Sequence, residues 1–491
     1  MAARGLSLPM SSRPTSGPAN GAGWRSGLGG LLAAGLLAGC VHYQAKPLSP
    51  PGTAAAFGLR TLADASLGNF FTANHVAPPG PQESWDLKQL TLVALYYQPA
   101  LAEARAQLLA AQAAEVTAAA RPNPSLSLTP GYDSGIPGAS SPWIVPLSFD
   151  LPIETAGKRG YRAAAARAVA EAARWDVVAA VWQVRSQVRA ALLALHTAQE
   201  SEALLAREET AQHDVVRLLE GQLAAGVVSS YEVTQARIAV DATRLSRQQA
   251  AAQDRQARVQ LAGALGVPLS ALDGCRLSFA DFARLPRELT APEVRRDALL
   301  NRADVRGALA DYAASQSALQ LEIANQYPDI HLGPGYAWNA GSAGDSEWDL
   351  GLSLTLPVLD RNEGPIAEAK ARRAVAAAHF QTVQAQALNA IEGALTAYDS
   401  ALQQVATAGT MQQNLRRRLD SVRAQVQAGE AEPLAVANAE VEFAAAAQTR
   451  LDALAGAQQA LGLLEDAVQS PLTLSPDEIA GAGMNFSEGA K

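Results

Sequence analysis

The sequence predicts an internally duplicated α+β membrane protein, with four membrane strands per chain and very long, coiled-coil-like helices. Three observations carry that reading. First, PSLSLTPGY from Pro124 to Tyr132 returns as PDIHLGPGY from Pro328 to Tyr336, with five of the nine positions identical. Gln112 falls likewise on Gln316, Leu151-Pro152 on Leu356-Pro357, Gly226 on Gly429 and Pro268-Leu269 on Pro471-Leu472, at an offset of 203 to 205. That period is too long for a solenoid unit. It marks a duplicated half-molecule with one plan: helix, two short strands, very long helix, tight turn, helix. Second, the segments around the repeated phrase alternate apolar and polar residues over strand-length runs. Third, each half carries a stretch of some sixty residues with an apolar seam at spacings of three and four.

Composition narrows the classes. At 491 residues the length alone suits roughly two to four globular domains. Yet aromatic residues are 5% and charged residues 18%, and alanine is abundant, which favours thin, closely packed helices. Outside the N-terminus no apolar run reaches the ~18–20 residues of a membrane-spanning helix.

Residues 1–39 read as a lipoprotein signal peptide. Arg4, Arg13 and Arg25 precede a short apolar stretch, Leu28 to Leu37, with no acid before residue 64. Leu37-Ala38-Gly39-Cys40 resembles a lipobox, so Cys40 is the expected lipidation (palmitate) site and the mature N-terminus. Val41, in place of Asp, predicts sorting to the outer membrane. Met10 is a second candidate start. Loss of the three arginines takes the formal charge from −8 to −11, a balance that does not suggest nucleic acid, so no nucleic-acid partner is expected. Cys275 alone then remains, a linker thiol that cannot staple the fold.

Residues 40–85, rich in Pro, Gly and Ala, read as a lipid-anchored extended arm. The first repeat spans 86–266. Its first helix runs from Asp86 to Ala120, where Arg121-Pro122-Asn123-Pro124 stops it. The β-hairpin 124–152 follows. Leu126, Leu128, Pro130 and Tyr132 share one face, as do Trp143, Val145, Leu147, Phe149 and Leu151. The second repeat spans 291–470 with its β-hairpin at 328–357. There Ile330, Leu332, Pro334, Tyr336 and Trp338 alternate with small or polar residues, and Trp348, Leu350, Leu352, Leu354 and Leu356 do the same. Strands of about nine to eleven residues with aromatic ends fit a bilayer. Tyr132, Trp143, Tyr336, Trp338 and Trp348 therefore read as a membrane aromatic girdle. Four strands cannot close a barrel, and an open edge in lipid leaves peptide groups unsatisfied at several kcal/mol each. Several copies must contribute, and three give about twelve strands.

The first long helix is expected from Lys158 to Leu223, where about 66 residues span roughly 100 Å. The second is expected from Pro365 to Gln427. Val177, Val181, Val184, Val188, Leu192 and Leu195 line one seam; Phe380, Val383, Ala387, Ile391, Ala394, Tyr398, Leu402 and Val405 line the other. Gly226 and Gly429 stop the long helices, and Ser230 or Glu432-Pro433 starts a return helix to about Leu265 or Val468. Residues 267–290 read as an inter-repeat connector outside the helices, and 471–491 as a partly disordered C-terminal tail.

From Cys40 to about Pro471 the chain resembles the TolC-like outer-membrane efflux channels. RADV at Arg302–Val305, Tyr327-Pro328-Asp329-Ile330, the two Leu-Pro strand ends and AAGVVSSYEVTQA at Ala224–Ala236 carry the likeness. DLPIETAGKRGYR at Asp150–Arg162 and LPVLDRNEG at Leu356–Gly364 resemble the heavy-metal (CzcC-like) group. The resemblance implies a homotrimer: a trimeric 12-stranded outer-membrane β-barrel on a long periplasmic α-helical coiled-coil barrel. It implies a passive exit duct, without cofactors, for cargo delivered by an RND-type inner-membrane transporter through a periplasmic adaptor (membrane fusion protein). The adaptor would dock at the periplasmic tips, at Gly226, Val227, Ser229, Gly429, Glu430 and Pro433. Glu430, Glu432 and Glu232 are the acids nearest the mouth and the candidate pore constriction, although the family's positions do not map cleanly onto them. The first tip reads VVSSYEV and the second EAEPLAV, so the two need not be equivalent.

No catalytic constellation, Walker loop or zinc spacing occurs, so the chain reads as no enzyme and no resident metal site is expected. The six histidines are scattered without helical pairing. His331, between Ile330 and Leu332, reads first as a lumen-wall residue and second as a cation contact. The leading alternatives are a drug/organic-solvent channel or a type I protein secretion channel. More remote is a lipid-anchored periplasmic helical scaffold.

Overall fold

A computed structural model describes residues 43–80, 82–132, 143–286, 296, 301–339 and 345–471. The signal peptide, Cys40 and the tail beyond Pro471 lie outside the described residues. The chain divides between Ala56 and Phe57 into two compact units. The first contributes an irregular stretch and most of helix α1 (Pro50–Gly58). The second contains everything that follows.

Its elements run α2 (Ala65–Ala73), α3 (Leu87–Tyr97), α4 (Pro99–Ala119), β1 (Ser125–Leu128), β2 (Gly131–Tyr132), β3 (Trp143–Ile153), α5 (Lys158–Ala224) and α6 (Ser230–Leu265). After two short 3₁₀ turns come α7 (Ala303–Ala324), β4 (Ile330–Asn339), β5 (Asp345–Leu354), α8 (Glu363–Gln427) and α9 (Pro433–Val468). The long helices and their return partners match the expected spans to within two residues. Four expectations need correction.

The helix expected from Asp86 to Ala120 is two helices. Pro99 has no N–H to give and crowds the residue before it, so Gln98 is extended, at φ −68° and ψ 121°, and α4 restarts at Pro99. The first strand is interrupted in the same way, at Thr129-Pro130 between β1 and β2. The arm over 40–85 is not simply extended. It forms α1 and α2, and Leu67 and Phe71 enter the main core beside Leu90, Val93, Leu192 and Leu261. The connector over 267–290 is not outside the helices either. Leu272 and Phe282 belong to that core, and Leu277 bridges to Trp85.

The helices pack side by side in one order. α4 and α6 flank α5, α7 and α9 flank its other side, and α8 packs on α7 and α9. Each repeat therefore sets one long helix beside two shorter ones that meet end to end. In the first repeat Gln98 Nε2 donates to the carbonyls of Gly263 (2.8 Å) and Ala264 (2.7 Å), closing the end of α6 with the start of α4. Arg60 adds bonds to the carbonyls of Tyr97 (3.1 Å) and Gly266 (2.6 Å). Gly266 is required there: its φ is +73°, and a Cβ would sit 3.0 Å from the Tyr97 carbonyl. In the second repeat Ala303 N donates to Gln469 Oε1 (2.7 Å) and Arg302 to the Ala467 carbonyl (2.5 Å). Tyr97 and Tyr398 brace this region by donating to Thr61 O (3.0 Å) and Pro286 O (2.7 Å). Burial first, then neighbouring carboxylates, pushes each phenol up to about 12, so both remain donors.

The predicted seam of α5 is fully buried from Val177 to Leu195. Of the predicted seam of α8, only Ala387, Ile391, Ala394 and Tyr398 are fully buried, because α8 lies at the open end of the row.

The halves are joined by a buried polar network between α5 and α9. Glu465, at 0% exposure, pairs with Arg185 (3.1 Å) and Arg189 (3.4 Å). Arg189 also donates to the carbonyl and amide oxygens of Gln458, which in turn donates to the carbonyls of Phe282 and Arg284. Trp182 and Ser186 donate to Asp466 at 3.0 and 2.5 Å. Burial still pushes the Asp466 carboxyl above its ordinary range. Removing one partner of such a buried pair costs about 3–5 kcal/mol, since the charge left behind has no water. Glu465→Ala is accordingly expected to lower the thermal midpoint of the folded chain, followed by tryptophan fluorescence, far more than Glu440→Ala, whose partner Arg423 is exposed. Equal shifts would contradict the network's role.

Candidate functional site

The strands form one antiparallel sheet in the order β1/β2, β3, β4, β5. Directly opposed residues lie on one face. The register sets Leu126 against Phe149, Leu128 against Leu147, Leu332 against Leu151 and Leu352, and Pro334 against Leu350. Apart from Pro130 and Leu356, which lie outside the paired strands, the apolar positions of the sequence alternation thus fall on a single face, and it is open. Leu126 is 67% exposed, Leu350 72% and Leu352 64%. The opposite face carries Ser127, Ser148, Asp150, His331, Asp349, Ser353 and a run of glycines. Gly333 and Gly351 are opposed residues, so part of that wall is bare backbone.

The aromatic residues cluster at the loop-proximal end. Tyr132 opposes Trp143, with ring centroids 5.4 Å apart in a T-shaped contact. Tyr336 opposes Trp348 at 4.7 Å, and Trp338 is paired with Val145 one step further on.

At the other end the strands enter the long helices through left-handed residues. Ala156 and Gly157 have φ of +53° and +74°; Asn362, the repeat-equivalent of Gly157, has +61°. Glycine and asparagine tolerate this conformation at least cost. Two motifs of the sequence meet here. Lys158 Nζ lies 2.8 Å from Asp329 Oδ1, and Thr155 donates to Asp329 and to the Pro328 carbonyl. Arg162 holds Glu154 through both terminal nitrogens and caps α4 at Ala118 and Ala120. Desolvation opposes ionisation of Asp329, but the Lys158 and Thr155 hydrogen bonds outweigh it and hold the carboxyl below its ordinary range.

At the far ends of the long helices, Gly226 and Gly429 take φ of +71° and +76°. Val227 N bonds back to Gln222 O and Glu430 N to Gln425 O, each at 2.8–2.9 Å, a Schellman closure. Ser229 then starts α6 with a reciprocal capping box to Glu232. Glu432 precedes Pro433 without a side-chain cap. It accepts instead from Gln222 of the first hairpin at 2.9 Å, so the tips are joined but not equivalent. Leu218, Gln222, Val227, Pro433 and Leu434 line a groove of about 300 Å³ between them. Of the candidate constriction residues, Glu232 is engaged in capping and Glu432 bridges the tips. No hydrogen bond or ion pair joins Glu430, Glu432 and Glu232 among the described residues. Sequence reasoning passed over Lys158, Arg162, Asp329 and Gln222. The first three stand within the quoted motifs, but nothing along the chain indicates that Lys158 and Asp329 meet across 171 residues.

The family described as "Outer membrane efflux protein" matches residues 93–267 and 294–468, one match per repeat. The cobalt-zinc-cadmium resistance protein CzcC of Cupriavidus metallidurans is 26% identical over 221 residues, covering 44% of this chain and 50% of that protein. The pyoverdine export outer membrane protein OpmQ of Pseudomonas aeruginosa is 27% identical over 354 residues, covering 67% of this chain and 72% of that protein. Among solved structures, the outer membrane protein VceC of Vibrio cholerae superposes with a TM-score of 0.65 at 21% identity, covering 78% of this chain and 96% of that one.

The depressed Asp329 carboxyl has a defined pH consequence. Its contribution is complete above the unfolded carboxyl value of about 3.9 and is lost as pH falls through the lower folded value. Lys158→Met removes the charge responsible. Thermal midpoints recorded down an acid titration should fall more steeply below about pH 4 for the parent than for the variant; parallel curves would deny the pair any role.

Proposed function

This chain belongs to the outer membrane efflux protein family, and we propose that it is the passive exit duct of a tripartite efflux system with heavy-metal cations as cargo. Members of this family are channels rather than enzymes. The observation that carries the duct reading is the sheet with one apolar, exposed face and two edges that are unpaired among the described residues. In hydrocarbon such edges leave N–H and C=O groups without partners. The row of helices ends at the same places, since α4 precedes β1 and α8 follows β5. A homotrimer closes both at once, into a twelve-stranded barrel with its polar face inward and a ring of helices below.

In this reading the aromatic row forms a girdle at the outer lipid boundary. Cys40 carries the lipid. The groove between the tips receives a periplasmic adaptor, with Gly226, Val227, Ser229, Gly429, Glu430 and Pro433 shaping the docking ends, and an RND-type pump supplies the energy. Glu430 is the acid best suited to a constriction, since it has no other partner among the described residues. Metal cargo is favoured by the Asp150–Arg162 phrase and by the CzcC relative; the OpmQ relative keeps export of an organic metal chelator as the second reading.

Two experiments test these statements. Leu352→Arg sets a charge on the lipid face at a cost of about 2–4 kcal/mol per copy near mid-bilayer, and should abolish the heat-modifiable trimer of outer-membrane fractions. Ser353→Arg, one residue away on the polar face, should assemble and alter conductance. Equal tolerance of both would overturn the duct. For cargo, a strain lacking the gene should become sensitive to cobalt, zinc or cadmium salts and unchanged toward siderophore-dependent growth; the reverse pattern would move the cargo to the second reading.

A further inference from the structure

One titratable pair on the polar face of the sheet is used neither by the strand junctions nor by the tips. His331 on β4 and Asp150 on β3 are diagonal neighbours across the ladder, since His331 opposes Pro152. The ring Nδ1 stands 3.1 Å from both carboxylate oxygens of Asp150. A carboxylate only accepts, so the proton between them belongs to Nδ1. In the neutral ring Nε2 then keeps its lone pair, and it has no hydrogen-bond partner among the described residues. The side chain is 42% exposed on a stretch of wall kept low by Gly333 and Gly351. Metal-binding imidazoles are held in just this manner, with a carboxylate on the far nitrogen fixing tautomer and orientation. The other charged groups around the pair are Asp329 with its Lys158 below, and Asp349, whose carboxylate lies so close over Gly335 that a Cβ there would collide with it.

We propose that His331, oriented by Asp150, is a transient coordination station for divalent transition-metal cations on the wall of the barrel. The inference rests on the duct reading above, which makes this face the lumen. No group of three metal-ligating side chains occurs among the described residues, so the station offers a single imidazole and the cation keeps most of its water. That suits transit, because a pore must bind weakly enough to release. The donor type sets the class: imidazole favours zinc, cobalt, nickel and copper over magnesium or calcium, which prefer oxygen.

The full chain purified from outer membranes, reconstituted in planar bilayers in potassium chloride, provides the test. Zinc chloride titrated into the bath should interrupt the potassium current of the parent. His331→Gln should need at least about 10-fold more zinc for the same effect, and Asp150→Asn, which frees the ring, about 10-fold more. Magnesium chloride should act equally on all three. If His331→Gln does not assemble, Asp150→Asn carries the test alone. A zinc response unchanged in the variants, or absent from parent channels that conduct potassium, overturns the station and leaves the duct standing. Assembled protein that conducts no ions overturns the duct, and the station with it.

Discussion

A strand edge cannot be left open in hydrocarbon, where each unpaired peptide group costs several kcal/mol. The rest of this architecture follows from that constraint. The four strand positions of one chain pair with one another, and their apolar residues fall on one exposed face. What one chain cannot satisfy are its two outer strands, β1/β2 and β5. The helices inherit the same incompleteness. The seam of α5 is buried from both sides, whereas that of α8 is covered only toward α7 and α9. Strand and helix rows begin and end on the same chain segments, so in the proposed trimer the rotation that closes the sheet also closes the helical wall.

Duplication has given each half the same mechanical problems, and the halves have solved them with different residues. The turn from strand to long helix uses Gly157 in one and Asn362 in the other. The end of the return helix uses Gly266, where a side chain would strike Tyr97, and Gln469, whose side chain caps α7. The pair Glu220–Arg237 is repeated 203 residues later as Arg423–Glu440, with its charges exchanged. Function here attaches to the position, since an ion pair bridging two antiparallel helices gains the same from either polarity. Identity survives at the left-handed tip residues Gly226 and Gly429, whereas the left-handed positions Gly157/Asn362 and Gly266/Gln469 keep the backbone conformation with different residues.

These differences explain what was legible along the chain. Periodicity and punctuation are local properties, and they located the long helices, both tips and the alternating faces almost to the residue. The breaks at Pro99 and Pro130 were also local, but a strong pattern on either side masked them. The docking of Leu67 and Phe71 was not legible, because a short helix in a stretch rich in proline and glycine has too few turns to display a period. The Arg185–Arg189–Glu465 network was least accessible. Each of its residues reads as an ordinary charge on an amphipathic helix, and only the packing of α9 on α5 removes them from water.

The polar junctions between packed helices weaken along their length toward the tips. Between α5 and α9 they are held by a carboxylate and two guanidiniums that have no solvent to fall back on, so separation leaves charges buried and unpaired. Toward the tips the helix pairs within each half are held by Arg244 and Arg247 on Glu209, then by more exposed pairs such as Arg237–Glu220 and Arg418–Glu442. Exposed pairs of this kind each contribute about 1 kcal/mol or less. At the end itself one exposed hydrogen bond among the described residues, Gln222 to Glu432, joins one hairpin to the other. Any rearrangement of this chain that preserves its membrane wall is therefore cheapest at the two glycine turns and dearest at Glu465.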